Sequence, residues 1–195
     1  MTWLAEHARF VWSFLRHPRA VGALVPSSRW LAGRMTEGMG LAEAETVVEV
    51  GPGTGPFTAA VVRELRPGAL FLAVELDPLL ARTLAEKFPG VQVINDSAEH
   101  LLRHLSSRGR RSADTILSSL PWAAFPADLQ GRLLGAIVEA LRPGGRFATF
   151  AYVHAMWFPA ARRFSRLLRS RFTKVARSRV VWRNLPPAIV YRGEK

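Results

Sequence analysis

The sequence predicts an α/β protein built on a doubly wound, mostly parallel sheet with helices on both faces. Three observations predict it. Short β-branched or apolar runs at 45–50, 70–75, 91–95, 114–119 and 145–152 alternate with helical patterns at 57–65, 78–88, 97–107 and 127–141. Pro67-Gly68, Pro89-Gly90 and Pro143-Gly144-Gly145 punctuate the helix ends. A glycine cluster, Gly51, Gly53 and Gly55, directly follows the first run. Strands that alternate with helices lie parallel, because each helix carries the chain back across one face of the sheet.

In chain order, apolar periodicity first predicts a helix over 2–16. At about 100° per residue, Trp3, Leu4, Ala8, Phe10, Val11, Phe14 and Leu15 share one arc, opposed by Glu6, Arg9, Ser13 and Arg16. This aromatic-rich helix is flanked by Arg16, His17 and Arg19, the mixture that interfacial membrane helices carry. His-Pro-Arg-Ala breaks it, and a second helix is expected from Ser28 to Met39. The five strands and their helices follow. The tail holds a helix near 159–170, then strands at 174–182 and 188–192. In that helix Phe164, Leu167 and Leu168 oppose Arg162, Arg163, Arg166 and Arg169, so it repeats the amphipathic design. The expected organisation is a membrane-associating segment, 1–26, and a single domain, 27–195.

With 195 residues the chain can bury one sizeable core. It has no cysteine, which excludes disulfides and thiolate metal sites. Its histidines and acids show no ligand spacing, so no metal is expected. No apolar run approaches the ~18–20 residues that span a bilayer. Glu6, His7, Arg9 and Arg16 interrupt the first apolar residues, which therefore do not read as a signal peptide. The formal net charge is +12, and between Arg162 and Lys195 eleven Lys/Arg stand against one acid, Glu194. A field of that sign draws polyanions, either nucleic acid or an anionic membrane surface.

Val47–Thr58 reads V-V-E-V-G-P-G-T-G-P-F-T. A glycine cluster between strand and helix lets backbone N–H groups approach a ligand without interference from a Cβ. Gly51 and Gly53 fit the dinucleotide fingerprint, but its last position is Pro56, and the third glycine comes early, at Gly55. Pro56 suits the first turn of a helix. No Gly-Lys-Ser/Thr follows, so this is not a P-loop. Glu75 ends the second strand in F-L-A-V-E-L-D-P, where a carboxylate can accept both hydroxyls of a ribose. Asp96 ends the third strand in V-Q-V-I-N-D-S-A, where it could receive an adenine amino group.

These three stretches resemble motifs I, II and III of class I S-adenosylmethionine-dependent methyltransferases, over roughly residues 20–152. The resemblance implies a Rossmann-like, seven-stranded sheet whose last strand pair is antiparallel. It implies S-adenosyl-L-methionine as cofactor and S-adenosyl-L-homocysteine as product. It also implies that Glu49, Gly51, Gly53 and Gly55 line the methionine and ribose side. Glu75, with Leu76, would hold the ribose, and Asp96, Ser97 and Ala98 would flank the adenine. Ser118 and Leu120, at the fourth strand end, complete the expected cofactor-binding set.

That fourth end reads D-T-I-L-S-S-L-P-W over Asp114–Trp122. Adenine-N6 methyltransferases, including the rRNA dimethylases the chain otherwise resembles, carry Asn/Asp-x-Pro-aromatic there. An exocyclic adenine nitrogen is conjugated into its ring and needs a strong acceptor, and the aromatic residue stacks on the flipped base. Here Ser119, a weaker acceptor, stands in the amide position. A primary alkylamine poses a different problem, since a proton with a pKa near ~10 blocks its lone pair. An apolar site lowers that pKa, and aromatic faces hold methylammonium products. Trp122 and Tyr152, at strand ends on the cofactor side, are the candidates for this work.

With F-L-R-H-P-R-A-V-G-A-L-V-P-S-S-R-W-L-A near the start and R-N-L-P-P-A-I-V-Y in the tail, nearly the whole chain resembles bacterial phospholipid N-methyltransferases of the small, soluble, rRNA-dimethylase-like type. That resemblance implies stepwise methylation of the phosphatidylethanolamine amine towards phosphatidylcholine. Some relatives accept ornithine lipids, and adenine methylation of rRNA is the other alternative. Ser27 and Ser28 either touch the cofactor or cap the helix before Trp30. Tyr152, His154 and His7 are candidate bases, water being another, and His154 and Asn184 join the candidate catalytic set by position. The expected partners are the phospholipid and an anionic membrane surface, met by the N-terminal helix and the helix near 159–170, with no nucleic acid and no metal. The expected location is cytoplasmic, at the inner face of the cytoplasmic membrane.

Overall fold

A computed structural model describes residues 27–195. The segment 1–26, with its predicted helix and His7, lies outside the described residues. The apolar runs form β1 (Thr46–Val50), β2 (Leu70–Glu75), β3 (Gln92–Asn95), β4 (Ala113–Ser118) and β5 (Leu141–Tyr152), followed in the tail by β6 (Lys174–Arg177) and β7 (Ala188–Glu194). They join in one seven-stranded sheet of order β3-β2-β1-β4-β5-β7-β6. The first five strands pair in parallel, and β7 inserts antiparallel between β5 and β6. This is the doubly wound sheet expected from the alternation, with the reversed last pair expected from the resemblance.

Helices α1 (Arg29–Thr36), α2 (Pro56–Glu64), α3 (Pro78–Lys87), α4 (Leu101–Ser106), α5 (Ala127–Ala140) and α6 (Pro159–Arg171) cover both faces. Successive strand side chains point to opposite faces, so each strand feeds two cores. Val47, Phe71, Ala73 and Leu117 pack with Leu31, Met35, Phe57, Val61 and Leu84 of α1–α3. Val48, Val50, Leu72 and Ile116 pack with Leu105, Leu134, Ile137, Phe164 and Leu168 of α4–α6. Each such side chain withdrawn from water contributes about 1.5–3 kcal/mol. Helix starts carry their expected signals. Ser28 Oγ accepts from the Leu31 N–H at 3.2 Å, and Asp77 Oδ1 accepts from Leu79 and Leu80 at 2.8 and 3.1 Å.

The three largest boundary differences from expectation are these. The helix expected over 97–107 begins as a 3-10 turn, Ala98–His100, and becomes α-helical only at Leu101. β5 starts at Leu141, before the Pro-Gly-Gly, and a register shift opposite Ala113/Thr115 absorbs those residues. β6 stops at Arg177 instead of running to 182, because the Ser178 hydroxyl takes over the ladder and accepts from the Val190 N–H at 2.9 Å.

Strand order reverses between β1 and β4, and the registers align Val50 with Val74 and with Ser118, and Glu75 with Asn95. The carboxyl ends of β1 to β4 therefore form one edge, at the switch point where open α/β sheets bind ligands.

Candidate active site

The chain leaves β1 through Gly51-Pro52-Gly53-Thr54-Gly55 and enters α2 at Pro56. Gly51 has φ +66°, and a Cβ there would stand 2.9 Å from Leu120 Cδ2. Gly55 has φ +82°, and its Cβ would stand 2.6–2.7 Å from Phe88 and Leu84. Any side chain at these two points would be strained and would collide with its neighbours. Above Gly53 there is open space instead, with no atom of the described residues within 4 Å of an added Cβ.

Glu75 latches this loop to β2. Its Oε2 accepts the Gly53 N–H at 2.9 Å and its Oε1 accepts the Asp77 N–H at 3.0 Å. The residue is buried, which pushes its carboxyl up, while those two N–H groups pull it partly back. Glu49 lies deeper still. Its Oε2 accepts from the Thr58 hydroxyl at 2.6 Å, and its Oε1 is buried without a hydrogen-bond partner among the described residues. Burial pushes the Glu49 carboxyl up to about 7, the Thr58 hydrogen bond opposes that, and the Glu75 charge adds to it.

A cleft of about 130 Å³ opens along this edge. Gly51, Glu75, Leu76, Asp96, Ser97, Ala98 and Leu120 all line it, so seven of the expected cofactor residues converge there. A vacant space over Gly53, an orphaned buried carboxylate oxygen on Glu49 and an acid at each of two strand ends fit the nucleoside cofactor that the motifs imply. Asp96 carries local partners of its own. Its Oδ1 meets the Ser97 N–H at 2.7 Å and His100 Nδ1 at 3.0 Å, and its Oδ2 meets Arg103 at 2.5 Å and His104 Nε2 at 2.7 Å. Burial raises the Asp96 carboxyl, but the hydrogen bonds from His100, Ser97 and His104 outweigh it and hold it well below the usual carboxylate range.

Beyond Ser119, Leu120 and Pro121 lies a second cavity of about 850 Å³, and those three residues line both spaces. Phe150, Tyr152, Met156, Phe158 and Phe164 give it apolar walls. Burial pushes the Tyr152 phenol up. Ser119 Oγ is buried and, among the described residues, lacks a hydrogen-bond partner. In the sequence the one signal that singles out Ser119 is its place where adenine methyltransferases carry an amide.

Trp122 also lines this cavity but is only 3% exposed. Its ring stacks on Phe164 with centroids 4.3 Å apart, and its Nε1–H is shared between Ser118 Oγ at 3.2 Å and Thr149 Oγ1 at 3.1 Å. The Ser118 hydroxyl is thus occupied by the indole, and Ser118 lines neither space. Trp122→Phe should keep the stacking but leave two buried hydroxyls short of a donor. The expected cost is about 1–2 kcal/mol in urea unfolding, and no loss would show that the indole hydrogen bond is dispensable.

The other position-based candidates stand apart from both cavities. Asn184 Oδ1 accepts the Ser28 N–H at 2.9 Å and its Nδ2 donates to the Pro186 carbonyl at 2.7 Å, so its amide ties the start of α1 to the tail. Ser28 caps α1, and Ser27 precedes it. His154 stacks on Tyr152 with centroids 5.7 Å apart and is exposed.

No family model matches the chain. It is 33% identical to the ornithine lipid N-methyltransferase of Singulisphaera acidiphila over 191 residues, 95% of each chain. It is 30% identical to ribosomal RNA small subunit methyltransferase A of Nocardia farcinica over 153 residues, which is 67% of this chain but only 50% of that one. Among solved structures, the O-methyltransferase of Bacillus cereus in complex with S-adenosylhomocysteine superposes with a TM-score of 0.65. That likeness covers 96% of this chain and 91% of the other at 14% identity.

Proposed function

Because this chain belongs to the family of the ornithine lipid N-methyltransferase, and so to the class I S-adenosylmethionine-dependent methyltransferases, we propose that it methylates the head-group amine of a membrane lipid. The observation that carries this reading is the wall Ser119-Leu120-Pro121, with the cofactor cleft on one side and a far larger apolar cavity on the other. Two lipids suit it. Phosphatidylethanolamine follows from the motif resemblance, and an ornithine lipid follows from the match over 95% of both chains. Adenine methylation is the poorer fit, since Ser119 offers no amide acceptor for a conjugated nitrogen.

When bound, S-adenosylmethionine supplies a methyl group made electrophilic by its sulfonium. The Gly51–Gly55 loop, Glu49 and Glu75 would hold it from one side, and Leu76, Asp96, Ser97 and Ala98 from the other. The residues of the larger cavity prepare the amine. Phe150, Ala151, Ala155 and Met156 exclude water, which lowers the ammonium pKa from about 10 and frees its lone pair. Tyr152 stays protonated at neutral pH, because burial raises its phenol, so it orients the amine by accepting a hydrogen bond and does not act as a phenolate base. The unpartnered Ser119 hydroxyl provides a second acceptor at the shared wall. The faces of Phe150 and Tyr152 then attract each methylammonium product. Positioning and desolvation supply the acceleration.

The test offers labelled cofactor to the protein with vesicles of phosphatidylethanolamine, vesicles of ornithine lipid, or rRNA. Label in either lipid is the expected result, and label in RNA alone overturns the reading.

A lipid substrate requires contact with its membrane. Among the described residues no helix is long and apolar enough to cross one. The apolar stripe of α6 is spent on the core, since Phe164 and Leu168 are buried, so only its basic face is free for lipid. A second surface suits an interface better. Trp157 and Trp182 are each 74% exposed and Leu185 is 72% exposed. The Val153 N–H donates to the Pro187 carbonyl at 2.9 Å, which joins their two segments. Arg162 lies 5.9 Å from the Trp157 ring centre, and Arg183 lies 4.6 Å from that of Trp30. Aromatic rings beside arginines are the composition of membrane-surface anchors. Replacing Trp157 and Trp182 together with aspartate should weaken sedimentation with anionic vesicles about tenfold or more. Affinity for S-adenosylhomocysteine should be unchanged, and undiminished sedimentation would remove this surface from the proposal.

A further inference from the structure

The larger cavity has a charge pattern that its apolar walls do not explain. Arg162, Arg166 and Arg169 recur at i, i+4 and i+7 on α6, a spacing that places them on one helix face. All three line the cavity, and Arg177 of β6 lines it as well, beside Tyr191, its register partner on β7. Among the described residues the lining contains no Asp or Glu. Among the described residues Arg166, Arg169 and Arg177 form no ion pair, whereas Arg34, Arg82, Arg103, Arg132, Arg142 and Arg192 all do. Arg163, the remaining α6 arginine in this stretch, is used differently. Its Nε donates to Gln130 Oε1 at 3.1 Å and its Nη2 to the Phe125 carbonyl at 3.2 Å, so it braces α6 against α5.

Four like charges around one opening repel each other and set up a strong local field. A guanidinium fork matches a carboxylate or a phosphate with two parallel hydrogen bonds. A bare anion would satisfy the arginines but leave the apolar walls empty, and a hydrocarbon would do the reverse. An amphiphile with an anionic group satisfies both. We infer that Arg162, Arg166, Arg169 and Arg177 form a cradle for the anionic group of the lipid substrate, its phosphate or its carboxylate, which aims the amine at Ser119. This inference rests on the aminolipid reading above. It adds that the enzyme prefers amines that carry an anion to plain alkylamines.

The test compares the wild type with the triple variant R166Q/R169Q/R177Q, whose altered side chains are exposed. Three soluble amines serve as substrates: dihexanoyl-phosphatidylethanolamine, an N-acyl ornithine and dodecylamine. For the variant, the ratio of KM for an anionic amine to KM for dodecylamine should rise about tenfold or more, a loss of about 1.4 kcal/mol or more. A rise with only the phosphate or only the carboxylate compound identifies which anion the cradle takes. An unchanged ratio with both overturns the inference while leaving the aminolipid reading intact. If the wild type methylates none of the three, that reading fails, and the cradle is then judged by calorimetry with dihexanoyl phosphatidic acid. Weaker binding by the triple variant sustains the cradle, and equal binding overturns it.

Discussion

Replacing Glu75 with alanine lowers affinity for S-adenosylhomocysteine at least about 100-fold and reduces methyl transfer accordingly. The carboxylate does two things at once. Each of its oxygens accepts a backbone N–H, from Gly53 at 2.9 Å and from Asp77 at 3.0 Å. It also forms part of the cleft wall at the position where a ribose is expected. Alanine leaves both buried N–H groups unpaired, at about 1–3 kcal/mol each, and releases the glycine loop from β2. The ribose acceptors disappear as well. Losing about 2.7 kcal/mol of binding already amounts to 100-fold. Glu75→Gln keeps the shape and one acceptor but turns an amide N–H₂ towards one of those N–H donors, so an intermediate loss is expected. Isothermal calorimetry on variants whose folding is verified by circular dichroism gives the answer. Affinity within a few-fold of the wild type for Glu75→Ala would refute the ribose assignment.

The same residues show what a sequence can and cannot disclose. The loop is legible because close backbone approach admits only glycine, as Gly51 and Gly55 demonstrate by the collisions a Cβ would cause. The central strands β1 and β2 are legible because they are buried on both faces, so their apolar residues run on almost without polar breaks. Features that depend on three-dimensional pairing are not. Nothing in the sequence indicates that the Asn184 amide closes on the Ser28 N–H, 156 positions away, and is therefore structural. The partners of Asp96 could have been found. His100, Arg103 and His104 follow it at helical spacing, and the His104 side chain is only 13% exposed. In the sequence the arginines of α6 read as the basic face of an amphipathic helix that meets a membrane. Only the packing of Phe164 and Leu168 inward, with β6 folding back alongside, shows that those arginines border a cavity.

Glu49 makes stability fall as pH rises, and cofactor binding should reverse its protonation. In the unfolded chain its carboxyl ionises around 4.5, whereas in the fold it holds its proton up to about 7. Between those values the folded state binds the extra proton, so rising pH favours unfolding, and the difference amounts to about 3 kcal/mol in total. Glu49→Gln has no proton to lose. Urea midpoints at pH 5 and pH 8 should therefore show the variant gaining about 2 kcal/mol relative to the wild type across that interval. An equal pH dependence in the two proteins would mean that Glu49 is not the group responsible. The unpartnered Oε1 connects this to the reaction. S-adenosylhomocysteine carries an ammonium, and a cation beside Glu49 stabilises the carboxylate and expels its proton. Below about pH 7 binding should then release a proton and weaken as the pH falls. Calorimetry in two buffers of different ionisation enthalpy reads that release directly. It should vanish in Glu49→Gln, and identical heats in both buffers with the wild type would place the ammonium away from Glu49.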